Sequence, residues 1–218
     1  TDCQEFENIN KDNKKLKPNL KEELSILAEG VQTLTANIQN GVHRTSEIIK
    51  SLNTFSRADN DALSLSDLHD NINSTITLLH NEYKNRIEIL KNYGDIPKTY
   101  CYSGKLNQVF MNILSNAIQA IPNKGKIVIT SLYIKKADAY QNGSIKITIK
   151  DDGPGIPQDI QTRIYEPFFT TKQVGQGTGL GLSITHGIIE QHNGSIKLKS
   201  DSKGTEFEII IPIILQKS

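Results

Sequence analysis

From residue 175 to residue 182 the chain reads Gly175-Gln176-Gly177-Thr178-Gly179-Leu180-Gly181-Leu182, with glycine at every second position. Four glycines so spaced free the backbone to take left-handed angles and to approach another group with no Cβ in the way. An apolar helical run follows. A helix starting near Thr178 would aim unpaired N–H groups and the positive end of its dipole at an anion. The stretch reads as a flexible turn or as a phosphate cradle, and only its neighbours can decide between the two.

Size and charge narrow the classes. A chain of 218 residues can bury a real core, as one large domain or as a domain with an appendage. Its net charge of +1 mixes both signs, which argues against nucleic acid or an anionic membrane as the main partner. Cys3 and Cys101 form no metal or disulfide pattern and fit a reducing compartment. The longest apolar run, Ile209 to Leu215, is short and holds Pro212, so it cannot span a bilayer. The polar start carries no signal peptide, which implies a cytoplasmic protein or the cytoplasmic part of a membrane-anchored one.

Residues 1–17 are polar and are expected to be a frayed or disordered start. Beyond Pro18, Asn19 and Glu22 make a capping-box-like beginning to a long helix over 18–58. Leu20, Leu24, Leu27, Val31, Leu34 and Ile38, then Ile48, Leu52 and Phe55, mark a coiled-coil or bundle seam that weakens at Gly41 and Thr45. At ~1.5 Å per residue such a helix would reach roughly 55 Å. It is too long and too one-sided to fold back on a compact domain, so homodimerisation through this N-terminal helix is expected.

A polar connection from Arg57 to Leu65 sets the domain boundary, with the second domain over 60–218. There Ser66 is expected to cap a helix carrying Leu68, Ile72, Ile76 and Leu79, and Arg86 to Leu90 reads as a strand. From a Ser103 cap, Leu106, Val109, Phe110, Ile113, Leu114, Ala117, Ile118 and Ile121 form one apolar stripe that Pro122 ends. Strands over 126–134 and 144–150, a helix over 179–191, and strands over 195–198 and 205–211 follow. The expected fold is α+β: a two-layer α/β sandwich with a mixed, mostly antiparallel sheet and helices on one face.

Three further segments carry chemistry. Asn112 and Asn116 lie four apart, on one face of a helix at the border of its apolar stripe. They are exposed helix asparagines, or amide oxygens offered to Mg²⁺, a hard cation that takes oxygen ligands while bridging phosphates. Asp151-Asp152-Gly153-Pro154-Gly155-Ile156-Pro157 turns sharply at a strand end. It is an acidic turn, or it leaves a carboxylate to accept from an adenine amino group. Glu166-Pro167-Phe168-Phe169-Thr170-Thr171-Lys172 offers aromatic loop anchors and a lysine, either solvated or set to meet phosphate oxygens.

All four segments occur in one order over 107–182. In that order they resemble the ATP-binding catalytic domain of sensor histidine kinases, in the superfamily of gyrase, heat-shock-90, histidine kinase and MutL proteins. The resemblance spans about 60 to 213. Its N box is Asn107-Gln108-Val109-Phe110-Met111-Asn112-Ile113-Leu114-Ser115-Asn116-Ala117, its G1 box Asp151 to Pro157, its F box Glu166 to Lys172, and its G2 box Gly175 to Leu182. No Walker P-loop is present, since no Gly-Lys-Ser/Thr follows a suitable glycine.

The resemblance implies ATP and Mg²⁺ as ligands. Asn116, with Asn112, would place the metal and phosphates, and Asp151 would read the adenine amino group. Gly153 and Gly155 would let the backbone close on the base, Ile156 would pack near it, and Thr205 would support it through water. Gly177, Thr178, Gly179 and Leu180 would hold phosphates, and Lys172 would touch the γ-phosphate. Residues from about 158 to 178 would form an ATP lid anchored by Phe168 and Phe169, mobile without nucleotide.

Hydrolytic members of the superfamily place Glu where Asn112 stands, and a neutral amide cannot act as that general base. Phosphoryl transfer to a histidine of the dimerisation domain, and onward to a response regulator receiver domain, is the activity implied. An ATP-binding dimeric scaffold without transfer and a hydrolytic ATPase are the alternatives. Arg44 to Arg57 resembles the second dimerisation helix, so the acceptor is expected upstream of residue 1, with His43 the rival within the chain. By that reading the fragment itself would not autophosphorylate.

Overall fold

The structure, a computed structural model, describes residues 26–27, 29–35, 37–38, 42, 62–135, 142–172 and 179–215. The chain divides into two compact units. In the first, the described residues are helical. Of the expected seam, Leu27, Val31, Leu34 and Ile38 lie exposed there, as do Ile26 and Val42 outside it, and Leu20 and Leu24 lie outside the described residues. The polar start, most of the boundary over 57–65, and the later seam residues Ile48, Leu52 and Phe55 lie outside the described residues.

The second unit runs β1 (Ser64–Ser66), α1 (Leu68–Tyr83), β2 (Ile87–Tyr93), β3 (Thr99–Cys101), α2 (Ser103–Ala120), β4 (Gly125–Ile134), β5 (Ser144–Asp151), α3 (Gly181–Gln191), β6 (Ser195–Asp201) and β7 (Gly204–Pro212). Five strands form one sheet in the order β2-β4-β5-β7-β6. Only β2 and β4 run parallel, so the sheet is mixed and mostly antiparallel, as expected. Register sets Ile129 against Ile149 and Ile147 against Ile209. Alternation along each strand then gives one apolar face, with Ile127, Ile129, Ile145, Ile147, Ile149, Ile209 and Ile211 buried. The opposite face carries polar pairs such as Lys146 and Glu208, 3.6 Å apart.

Helix α2 is the middle of the helical layer, packed between α1 and α3. Its stripe of Leu106, Val109, Phe110, Ile113, Leu114, Ala117 and Ile118 is buried as the spacing predicts. Three polar devices fix it in place. Buried Asn71 of α1 donates to Ser103 and to the Asn107 side chain, 2.6 Å away. At the other end the Arg86 guanidinium donates to the carbonyls of Ile118 (2.9 Å) and Ile121 (2.6 Å), which lie where a helix runs out of its own donors.

The third device joins α3 to the start of α2. His192, buried at the end of α3, accepts from the Tyr102 N–H through Nε2 at 3.1 Å, and its Nδ1 lies 2.7 Å from the Ile188 carbonyl oxygen. Only the neutral ring with its proton on Nδ1 satisfies both. Burial pushes the His192 pKa below the usual value, against the Ile188 carbonyl and helped by the charge of Lys105. The folded pKa is thus depressed, so the stability it contributes is complete above the unfolded value of about 6.5 and is lost as pH falls through the folded one. The melting temperature is expected to drop as pH is lowered from 7 through 6 and below. Replacing His192 by Gln should flatten that limb, and a parallel decline in both proteins would overturn the assignment.

Local corrections follow from geometry. Ser66 lies in β1, paired with β3, and the cap of α1 is Asp67, whose carboxylate accepts from the His69 N–H at 2.9 Å. Ser103 is the first residue of α2, after Tyr102 at the N-cap. Strand β2 runs on to Tyr93 because it follows β4 in parallel as far as Ser131. Helix α3 begins at Gly181, two residues later than expected. Cys101 is buried, and desolvation pushes its thiol up to about 11, so it packs as an apolar group. Among the described residues no helix is long and apolar enough to cross a membrane.

Candidate functional site

Helix α2, the turn after β5, the segment before residue 172 and the start of α3 enclose a cavity of about 610 Å³, within the ~300–1,000 Å³ of small-molecule sites. Asn112, Asn116, Asp151, Gly155, Ile156, Lys172, Gly179 and Thr205 all line it. Gly153 and Leu180 are not among the lining residues. Gly177 and Thr178 lie outside the described residues.

Asp151 ends β5 and is buried. Its Oδ1 accepts from the backbone N–H of Gly153 at 2.9 Å and of Thr205 at 3.3 Å, which leaves Oδ2 for a further donor. Gly153 thus acts through its amide. Burial is the largest influence on the Asp151 carboxyl and raises its pKa, against the pull of those two N–H groups and with Asp152 adding to the rise.

Two hydroxyls hold the turn that follows. Ser200 accepts from the Ile156 N–H at 2.7 Å and donates to the Gly204 carbonyl at 3.1 Å. With that proton committed, Thr205 is the donor in the 3.0 Å contact between the two hydroxyls, and its lone pairs remain for a ligand or water. Gly155 sits at φ +76°, and a Cβ there would collide with the Asp201 carbonyl oxygen. Gln161 ties the following segment down by donating to the carbonyls of Ile156 (2.7 Å) and Ser200 (3.1 Å).

Asn112 bridges two helices. Its amide nitrogen donates to the Gly181 carbonyl at 2.9 Å and to Thr185 Oγ1 at 3.3 Å, so the oxygen is the atom left for a ligand. The Thr185 hydroxyl itself donates to Gly181, which fixes it as the acceptor. One turn along α2, Asn116 is half-buried and its Oδ1 accepts from the Lys172 ammonium at 3.1 Å. The Gln119 oxygen takes the same ammonium. Among the described residues no cluster of three His, Cys, Asp or Glu could hold a metal. The donors facing this end of the cavity are amide oxygens, and that of Asn116 already receives a cationic group. This suits a hard ion that takes one or two protein oxygens and completes its shell with phosphates and water.

The aromatic pair divides. Phe169 packs against the core with the Arg163 guanidinium 4.5 Å over its ring, as an anchor should. Phe168 is 72% exposed, so it does not anchor the loop. Its backbone is left-handed at φ +67° and touches Gly179, also left-handed, where any Cβ would collide with the Phe168 backbone.

Sequence reasoning missed Ser200, Thr185, Gln161 and Gln119. Only Gln119 carried a legible signal, since it lies three residues beyond Asn116 on the same helix face. Thr185 meets Asn112 across 73 positions.

A family profile described as histidine kinase-, DNA gyrase B-, and HSP90-like ATPase matches residues 102–214. Sensor kinase CckA of Brucella abortus is 35% identical over 191 residues, covering 83% of this chain and 20% of that protein. The chain thus spans about a fifth of that relative's length. Among solved structures, the nucleotide-free catalytic domain of histidine kinase ThkA aligns with TM-score 0.60 and 30% identity, over 70% of this chain and 97% of that one. Histidine kinase ThkA in complex with response regulator protein TrrA aligns with TM-score 0.57 and 26% identity, over 83% of this chain and 51% of that one.

Proposed function

The chain belongs to the histidine kinase-, DNA gyrase B- and HSP90-like ATPase family, with an ATP-binding catalytic domain of the sensor histidine kinase type, and from that premise we propose that it donates the γ-phosphate of Mg²⁺-bound ATP to a histidine on a dimerisation helix. A response regulator receiver domain then takes the phosphate, as the complex of ThkA with TrrA suggests. The exposed apolar residues of the N-terminal helical segment support homodimerisation.

The observation that carries the reading is the buried Asp151 carboxylate, with one oxygen held by two backbone N–H groups and the other left over. That second oxygen accepts from the adenine amino group. Gly155 and Ile156 would lie along the base, and Thr205 would support it through a bridging water. Asn112 and Asn116 would offer amide oxygens to the metal and phosphates, and Lys172 would meet the γ-phosphate. Bound Mg²⁺ would neutralise phosphate charge during transfer.

Position 112 separates transfer from hydrolysis. The Asn112 amide nitrogen is committed to Gly181 and Thr185, and a neutral amide has no basicity with which to activate water. The pocket therefore supplies positioning and charge stabilisation while the nucleophile arrives on another surface. To test this, the chain is given γ-labelled ATP, Mg²⁺ and an acceptor-bearing dimerisation helix in trans. Label on the helix that is stable to base and labile to acid is expected. Steady phosphate release with no label on the helix would favour a hydrolytic ATPase, and binding with neither outcome a scaffold.

A further inference from the structure

At the α2 end of the cavity the Lys172 ammonium is held by two amide oxygens, those of Asn116 at 3.1 Å and Gln119. The pair is oriented. Gln119 donates its own N–H to Ser115 Oγ at 3.1 Å, so its oxygen is the end presented to the lysine. The Lys172 backbone is fixed as well, its N–H donating to Thr170 Oγ1 at 3.1 Å. Gln119 lies four residues after Ser115 and three after Asn116, so it neighbours both on the helix surface.

An ammonium between two amide oxygens takes the ligands a hard metal ion would use. A divalent ion at ligand distance from the Asn116 oxygen and an ammonium on the same oxygen repel one another, so the two cannot share it. We infer that Lys172 is parked in the cation position, that Gln119 is the positioning residue that parks it, and that Mg²⁺-nucleotide enters by exchanging one cation for the other. This deepens the proposed function and rests on its assignment of Asn116 to the metal. Once displaced, the ammonium is free to follow the negative charge onto the phosphates. Gln119 acts only on the parked lysine, so it sets how readily the ammonium leaves.

The test is a double-mutant cycle between Gln119→Met, which keeps the side-chain length and removes the oxygen, and Lys172→Met. ADP affinity of the full chain is measured by calorimetry with Mg²⁺ and with EDTA. Gln119→Met is expected to tighten Mg²⁺-ADP binding roughly two- to fivefold, the scale of contacts at an exposed charge, and to tighten it less in EDTA. In the Lys172→Met background the gain should vanish. An unchanged or weaker affinity, or an equal gain in both backgrounds, would overturn the exchange.

A second measurement needs no nucleotide. Acetylation of Lys172 by acetic anhydride, followed by mass spectrometry, should be at least roughly twofold faster in the Gln119→Met chain because the amine is no longer held. An equal rate would overturn the parking. Should the wild-type chain bind no adenine nucleotide at all, the proposed function falls and the exchange with it, and the labelling rates still decide whether Gln119 parks the lysine.

Discussion

Replacing Asp151 by Asn is expected to abolish most ATP binding while leaving the fold as stable as before, or more so. The amide oxygen of Asn can still accept from the Gly153 and Thr205 N–H groups that now meet Oδ1. Its NH₂ would then face the adenine amino group, donor against donor. The loss is that of a hydrogen bond to a charged group, about 1.5–3 kcal/mol or roughly 10- to 150-fold in affinity. Stability should move the other way. Burial raises the Asp151 pKa in the folded chain, so the ionised carboxylate opposes folding at neutral pH, and that penalty is relieved as pH falls through the folded pKa toward the unfolded value of about 4. Asn carries no such penalty. Calorimetry and thermal melts on the same protein check both signs. Unchanged ATP affinity would remove Asp151 from adenine recognition, and a large drop in melting temperature would make its role structural.

The Gly155→Ala chain should show the largest loss of stability. The residue is left-handed at φ +76°, and the added methyl group would collide with the carbonyl oxygen of Asp201, which is strand backbone and cannot rotate away. The expected cost is on the order of 3–5 kcal/mol, a large part of the 5–15 kcal/mol that typically holds a domain together. Urea unfolding reads it as a lower midpoint with an unchanged slope. A midpoint equal to wild type would mean that the 153–157 turn can be rebuilt around a right-handed residue 155.

How much of this was legible depended on whether the signal was periodic or coincident in space. The α2 stripe from Leu106 to Ile118 and the β5 alternation of Ile145, Ile147 and Ile149 were readable because burial on one face leaves a period of 3.6 or 2 in the chain. Helix starts were read less well. At Ser66 a hydroxyl residue looked like a cap, yet pairing of β1 with β3 extended the strand and passed the cap to Asp67. Phe168 and Phe169 are identical in composition and adjacent in sequence. Only backbone geometry separates the exposed residue from the packed one.

The sequence by itself determined the α+β class and the order of the four motif segments, whose resemblance to sensor histidine kinases singled out Asp151, Asn112 and Asn116 as the groups to follow. Each is a local property: a period, a turn chemistry or a spacing on one helix. Tertiary structure alone decided which atom of each group is spent and which is left. Thr185 and Gly181 fix the Asn112 nitrogen, Gly153 and Thr205 take one oxygen of Asp151, and Asn116 and Gln119 receive the Lys172 ammonium. All but the Gly153 contact join residues far apart in the chain, and hydrogen bonding depends on distance and direction, which no local pattern of residues records.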